Sequence, residues 1–436
     1  MANTFDITTL GDCTIPSPVH GTNFVDTGAI LADATVAGCG LDGETPATME
    51  RCGPRRAIFF DPARARAAVV TCGGLCPGLN DVVRALTMVL WHRYGVRDVR
   101  GLRYGYEGLI PRYGHPVLPL TPEGVDDIHH NGGTILGTSR GPQDVPEQVD
   151  YLQAEGINLL FPIGGDGTQR GALDITREAQ ARGYPLAVVG IPKTIDNDIS
   201  FTDRTFGYET AVEQSRAPIT GIHHEAKSIH NGVGLVKLMG RHSGFIAASA
   251  ALASSDVNLV LIPEVPFREA QLMEWLDARL AVKSHAVIVV AEGAGQELVS
   301  TAGTDKSGNR NLGDIGLYLK HAIGKHLVDR GLDGGVKYID PSYSIRSAPA
   351  SADDSVFCFQ LGANAVHAAM SGRTGLVVSQ WNGHFVHVPI EQAVAQRKCV
   401  DPGGPLWTSV LDNTGQPFSD TLKATGLNER CYGATP

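Results

Sequence analysis

The chain has 436 residues, of which 42% are hydrophobic and 6% aromatic, with 52 glycines; this is length for roughly two or three domains of about 150 residues and too apolar for a disordered chain. Asp and Glu number 46 against 36 Lys and Arg, a formal net charge of −10, so no basic field attracts nucleic acid and any bound anion must be held by local groups. No run reaches the length of a membrane span, residues 1–8 lack a basic or apolar signal region, and the eight cysteines hold no zinc-site spacing beyond the single pair Cys72 and Cys76. The expectation is a soluble, cytoplasmic protein with reduced thiols and no nucleic-acid or membrane partner. Its last residues, Ala434-Thr435-Pro436, are not a peroxisomal address.

Residues 1–57 are rich in Gly, Pro, Thr and Cys without a sustained period, and read as an N-terminal extension laid over the surface. From residue 67 an order repeats: strand 67–72, glycine loop, helix 81–94, then strand 158–163, glycine loop, helix 169–182, then strand 186–191. Continuous apolar runs alternating with helices predict a doubly wound parallel sheet. A second run of the same kind starts near residue 201, with helix 209–224, strand 233–238, helix 243–253, strand 257–262, helix 268–281 and strand 285–291. Residues 301–312 read as a polar surface excursion, 374–379 and 385–389 are apolar again, and 401–436 read as a C-terminal tail. The predicted fold class is α/β, with two doubly wound Rossmann-like domains, the active cleft between them, and the N-terminal extension.

Two loops carry the chemistry. Gly164-Gly165-Asp166-Gly167-Thr168 and Pro192-Lys193-Thr194-Ile195-Asp196-Asn197-Asp198 each follow a predicted strand, as does the turn containing Gly73-Gly74. Glycine removes the Cβ that blocks close approach, and a following helix N-terminus offers free N–H groups to a phosphate; a plain tight turn is the alternative for any such loop alone. Asp166, between glycines at a strand end, suits Mg²⁺ held through water beside phosphates, or else simply caps the helix. Asp196 and Asp198 are two apart, so in an extended segment both carboxylates project from one side and one can act as a base; an acidic turn balanced by Lys193 is the plainer reading. Arg140 and Arg241 follow glycines, and forked guanidiniums suit phosphate oxygens. Arg346, Glu292 and Lys337 add a candidate phosphosugar pocket. His223, His224 and His230 lack a helical metal-site spacing and read as a polar helix face.

These motifs, with Thr71-Cys72-Gly73-Gly74-Leu75-Cys76-Pro77-Gly78-Leu79-Asn80-Asp81, Met239-Gly240-Arg241 and the 338–346 block, resemble the 6-phosphofructokinase family from about residue 59 to about 389. The likeness is to its long ATP-dependent branch, which shares the Pro-Lys-Thr-Ile-Asp-Asn-Asp loop with pyrophosphate-dependent relatives of plant and protozoan type. The resemblance implies glycolytic transfer of the γ-phosphoryl group of MgATP to the 1-hydroxyl of fructose 6-phosphate in an allosteric homotetramer. It places Gly74, Arg140, Gly165, Asp166, Gly167 and Thr168 on the donor, with Asp166 near Mg²⁺. Asp196 becomes the base, assisted by Lys193 and Arg140, while Thr194, Ile195, Met239, Gly240, Arg241, Glu292, Lys337, Tyr343 and Arg346 fall on sugar-phosphate positions. An arginine that short bacterial relatives give across a subunit interface falls near Gly232 and is missing.

The same resemblance implies a donor domain of residues 58–200 and 376–400 and a sugar domain of 201–375. Pyrophosphate users of the family carry Asp where Gly167 stands and Lys where Lys193 stands. An Asp at 167 intrudes on the α-phosphate of ATP, whereas Lys193 can serve either donor, so ATP is the expected donor and pyrophosphate the alternative. A lipid or NAD kinase shares only the Gly-Gly-Asp-Gly-Thr turn, and a non-catalytic phosphosugar sensor needs no pairing of Asp166 with Asp196.

Overall fold

The structure, a computed structural model, describes residues 5–21, 23–32, 47–299, 303 and 311–417. Most of the predicted 301–312 excursion and the terminal tripeptide lie outside these residues. The chain divides into two compact units, one of Met1–Thr194, Ile199–Gly207 and Ser347–Gln396, the other of Ile195–Asp198, Tyr208–Arg346 and Arg397–Pro436.

The first unit is built on a nine-stranded sheet in the order Ala29–Leu31, Thr48–Arg51, His384–Pro389, Leu376–Trp381, Ala187–Pro192, Leu159–Gly164, Arg66–Thr71, Asp98–Leu102, Val117–Pro119. The five strands from Leu376–Trp381 to Asp98–Leu102 are parallel. Leu159–Gly164 and Ala187–Pro192 are buried at every residue, which is why they read as unbroken apolar runs. From Arg66–Thr71 the chain moves outward to Asp98–Leu102 and then returns to the other side at Leu159–Gly164. The loops after these two neighbouring strands therefore part to opposite faces, and the crevice where they part is the ligand position of open α/β sheets.

The N-terminal extension does more than cover a surface. Its strand Thr48–Arg51 pairs antiparallel with His384–Pro389 and carries Ala29–Leu31 outside it. Glu50 accepts hydrogen bonds from Arg373 (2.7 Å), His387 (2.8 Å) and Arg55 (3.0 Å). Burial alone would raise the Glu50 carboxyl, but donation from Arg373 and His387 outweighs it and holds the group well below the usual carboxylate range.

The return to the first unit falls at Ser347, ahead of the expected 376. The reason is the helix Ala352–Met370, which packs against helix Leu79–Val89. Gly362 permits the approach, since a Cβ there would lie 2.7 Å from the Ala85 Cβ. At the other end, residues 397–417 are not a loose tail. Helix Pro405–Thr414 packs on helix Phe245–Ser254 in the second unit. Gln416 brackets Val260, accepting from its N–H at 2.8 Å and donating to its carbonyl at 3.2 Å. Six described cysteines, Cys13, Cys52, Cys72, Cys76, Cys358 and Cys399, are free thiols.

The second unit has four parallel strands in the order Leu259–Leu261, His285–Ala291, Gly232–Leu238, Gly335–Ile339. Val233, Leu235, Ile288 and Val290 form one core with Leu272, Leu276, Leu319 and Ile323 of helices Glu269–Val282 and Ile315–Asp329. Here too the order reverses at a central strand, Gly232–Leu238, so the loops after residues 238 and 291 emerge side by side.

Candidate active site

In the first unit, strand Leu159–Gly164 runs through Gly165 into helix Asp166–Ala181 with no side-chain cap on its N-terminus. The positive end of the helix dipole at this N-terminus suits an anion, and the Thr168 N–H closes the turn by donating to the Gly165 carbonyl at 2.9 Å. Gly164 is required for this turn, because a Cβ there would sit 2.1 Å from the Thr168 Oγ1. Gly167 is different: a Cβ at that position meets nothing within 4 Å. Thr168 is buried, and its carbonyl accepts from the buried Tyr106 hydroxyl at 2.6 Å, so it anchors the turn more than it offers a side chain.

The neighbouring strand ends complete this constellation. Pro192 stands beside Gly164 in the parallel register, and the Lys193 N–H donates to the Gly164 carbonyl at 3.0 Å. The buried Lys193 ammonium donates to the Gly74 carbonyl at 2.7 Å. Gly73 has φ +82°, and a Cβ on it would lie 3.3 Å from the Lys193 Nζ; a Cβ on Gly74 would lie 3.3 Å from Arg140 Nη2. The structure therefore brings together Gly74, Arg140, Gly165, Asp166, Gly167, Thr168 and Lys193 around one set of strand ends. Cations, a helix N-terminus and one carboxylate without bulky side chains are the means of gripping a polyphosphate. Asp166 fits Mg²⁺, which keeps most of its waters and needs only one or two carboxylates besides phosphate oxygens. No group of three or more His, Cys, Asp or Glu suited to a metal occurs among the described residues.

The Ile195–Asp198 segment belongs to the second unit. The backbone bends at 195–196 and Asn197 adopts φ +55°, so the extended conformation expected for this segment is not formed. The same-side projection of Asp196 and Asp198 does not follow, and Asp196 is supported differently. Its carbonyl accepts from the Ser243 hydroxyl at 2.9 Å, the Asn197 side chain accepts from the Lys398 ammonium at 3.1 Å, and the Asp198 carbonyl accepts from the Lys398 N–H at 2.9 Å. Within the first unit, the Thr194 carbonyl accepts from the Thr205 hydroxyl at 2.6 Å.

Met239-Gly240-Arg241 leaves strand Gly232–Leu238 next to Glu292, whose N–H donates to the Leu238 carbonyl at 2.8 Å. Gly240 has φ +128°, and a Cβ there would come within 2.2 Å of the Ser243 carbonyl; Arg241 itself has φ +20°. One Glu292 carboxylate oxygen lies 3.3 Å from the Arg241 N–H and 3.9 Å from Arg346 Nη2. Arg241, Glu292 and Arg346 are thus one group. Met239 presents only backbone, since its side chain is fully buried. Lys337 lies 3.8 Å from Glu225, and Tyr343 is 84% exposed. Gly232 begins the central strand, and a Cβ there would approach the Ala226 carbonyl to 2.1 Å, so this backbone has no room for an arginine at that position.

Sequence reasoning passed over four supporting residues. Gln169 donates from its buried amide to the carbonyls of Gly164 (2.9 Å) and Ile191 (3.3 Å), tying the two strand ends. Gly293 is demanded by the Arg241 carbonyl, which a Cβ would overlap at 1.5 Å. Lys398 holds the 196–198 loop, and buried Glu264 accepts from the N–H groups of Gly244 (2.9 Å) and Val400 (2.8 Å). Burial pushes the Glu264 carboxyl up to about 7 against the lowering effect of those two donors. Only the Pro-Glu pair 263–264 after an apolar run marked Glu264 in the sequence, and nothing there ties it to residue 400. Cys72, by contrast, is a packing thiol, pushed up to about 12 by burial.

The protein family described as phosphofructokinase matches residues 66–369. The chain is 50% identical over 382 residues to an ATP-dependent 6-phosphofructokinase of Borreliella burgdorferi, covering 85% of this chain and 86% of that one. It is 49% identical over 403 residues to an ATP-dependent 6-phosphofructokinase of Amycolatopsis methanolica, covering 90% and 86%. The fold is shared with the crystal structure of a pyrophosphate-dependent phosphofructokinase from Marinobacter aquaeolei, with a TM-score of 0.68 at 20% identity over 82% of this chain and 94% of that one.

Proposed function

The chain belongs to the phosphofructokinase family, and on that premise we propose that it is an ATP-dependent 6-phosphofructokinase in which Asp196 is the base. It transfers the γ-phosphoryl group of MgATP to the 1-hydroxyl of fructose 6-phosphate, giving fructose 1,6-bisphosphate and ADP, as in glycolysis. One observation carries the donor assignment: at Gly167, in the turn that follows Gly165, an added Cβ meets nothing within 4 Å, so the turn is open where an Asp would crowd and repel the α-phosphate of ATP.

In this reading Gly74, Gly165, Gly167 and the first helical N–H groups receive the β- and γ-phosphates, with Arg140 and Lys193 countering the charge that spreads over the transferring group. Asp166, through water, is the protein ligand for the Mg²⁺ of MgATP, which when bound neutralises phosphate charge. Asp196 accepts the proton of the sugar 1-hydroxyl as its oxygen attacks phosphorus in line. Thr194, Ile195, Met239, Gly240 and Glu292 position the sugar, while Arg241, Arg346 and Lys337, with Tyr343, take its 6-phosphate. A homotetramer, allosteric control and a cytoplasmic location belong to the same proposal; no described helix is long and apolar enough to cross a membrane.

Pyrophosphate is the second reading for the donor, favoured by Lys193 alone. The test is fructose 1,6-bisphosphate formation with ATP and with pyrophosphate at equal Mg²⁺. ATP is expected to support turnover with a kcat/KM at least tenfold higher, and the reverse preference would replace the donor assignment.

A further inference from the structure

Contacts on two sides of the loop that carries Asp196 lead to one buried carboxylate. On one side the Ser243 hydroxyl donates to the Asp196 carbonyl at 2.9 Å, and the next residue, Gly244, donates its N–H to Glu264 Oε1 at 2.9 Å. On the other side Lys398 donates its N–H to the Asp198 carbonyl and its ammonium to the Asn197 side chain. Two residues on, Val400 donates its N–H to that same Glu264 oxygen at 2.8 Å. The Lys398 ammonium also lies over the Phe245 ring at 5.1 Å, so the segments at 243–245 and 398–400 touch each other as well as Glu264.

Glu264 is 5% exposed, and a buried carboxylate is costly unless it serves its hydrogen-bond donors. Gly244 is pressed close against it, since a Cβ there would lie 2.4 Å from the Ile262 Cγ2 and 2.9 Å from Glu264 Oε2. A glycine, a carboxylate and a strand end have been fitted together around two backbone N–H groups. Asn197, meanwhile, has φ +55°, a left-handed conformation that Asn accepts more readily than most residues. Its side-chain bond from Lys398 ties that turn to the 398–400 segment. A base must lie within hydrogen-bond reach of the proton it takes, and a displacement of about 1 Å costs on the order of 10²-fold in rate.

We infer that Glu264 and Lys398 are positioning residues for the phosphoryl transfer: Glu264 clamps the 243–244 and 398–400 segments, and through Ser243 and Lys398 these set the backbone of Asp196. The inference rests on the reading of Asp196 as the base. Neither side chain needs to touch substrate, so their loss acts on kcat and leaves sugar binding nearly intact.

The experiment measures kcat and KM for fructose 6-phosphate at saturating MgATP, with thermal unfolding, for Lys398→Met, Glu264→Ala and Glu264→Gln, each alone and combined with Asp196→Asn. Lys398→Met and Glu264→Ala are expected to lower kcat by about tenfold or more with KM within about threefold. Glu264→Gln, which keeps an acceptor oxygen for both N–H groups, should stay within about threefold of wild type in kcat. In the Asp196→Asn background the added loss from Lys398→Met should shrink to less than about twofold, because a misplaced residue that is no longer a base has nothing further to lose. Lys398→Met decides the matter even if Glu264→Ala does not fold. A collapsed kcat in Asp196→Asn together with a full multiplicative loss on adding Lys398→Met, or an unchanged kcat in Lys398→Met alone, would overturn the positioning role and leave the base assignment standing. Wild-type kcat in Asp196→Asn would overturn the base assignment itself, and the positioning role with it.

Discussion

The Lys193 ammonium donates to the carbonyl of Gly74 at 2.7 Å, although the strands that lead to these two residues are not neighbours. Ala187–Pro192 and Arg66–Thr71 flank Leu159–Gly164 on opposite sides, so the lysine reaches across the glycine turn of the strand between them. A cation held at this turn complements a polyphosphate placed there.

Lys193→Met should therefore remove a preorganised cation with little change in packing. The expected loss is about 10²–10³-fold in kcat with ATP, with thermal stability close to wild type. Steady-state kinetics with a melting curve on the same preparation check this. A lysine that matters only to the fold would show the opposite pattern, a lower melting temperature at full kcat.

At Gly167 an added side chain meets open space in the protein. Gly167→Asp should fold as well as wild type, and its effect should fall on the ligand, where the carboxylate repels the α-phosphate of ATP while pyrophosphate ends before that point. We expect kcat/KM for ATP to drop by about tenfold or more, with a smaller effect on any pyrophosphate activity. Donor kinetics in both proteins measure it, and an unchanged ATP value would take Gly167 out of donor choice.

Arg346 lies 3.9 Å from Glu292, which also faces the Arg241 N–H at 3.3 Å. Arg346→Ala should raise KM for fructose 6-phosphate by about 10–100-fold, the worth of a charged hydrogen bond at about 1.5–3 kcal/mol, with kcat changed far less. Calorimetric titration with the sugar phosphate reads the binding directly. Wild-type affinity would move the phosphate site away from this residue.

Glu264 yields a pH prediction with a definite sign. Burial raises its carboxyl to about 7 from an ordinary 4.5, so the folded protein binds this proton more tightly than the unfolded chain does. The associated stability is fully present below about pH 4.5 and is lost as the pH rises through about 7, a loss of up to roughly 3 kcal/mol. Glu264→Gln has no such proton to lose. Denaturant titrations at pH 5 and pH 8 should show the variant gaining on wild type at the higher pH, and an equal difference at both would mean that the carboxyl titrates normally.

Much of this protein was legible along the chain. Apolar runs bounded by glycine turns located strands Leu159–Gly164, Ala187–Pro192 and Gly232–Leu238 and the helices between, because burial on both faces writes itself into consecutive residues. The motifs at 164–168, 192–198 and 239–241 named the family and its chemistry for the same reason, since a turn that must clear a phosphate or a neighbouring carbonyl admits only certain residues. What the chain could not disclose were relations between segments far apart in sequence. That Ala352–Met370 belongs with Leu79–Val89 depends on Gly362 meeting Ala85, and that Lys193 reaches Gly74 depends on strand order. Asn197 at φ +55° broke the extended geometry expected of its loop, and its side chain meets Lys398, some two hundred residues on. Local composition determines which elements form and what they can bind, whereas long-range hydrogen bonds and close backbone contacts, which leave no periodic trace, decided which of them meet.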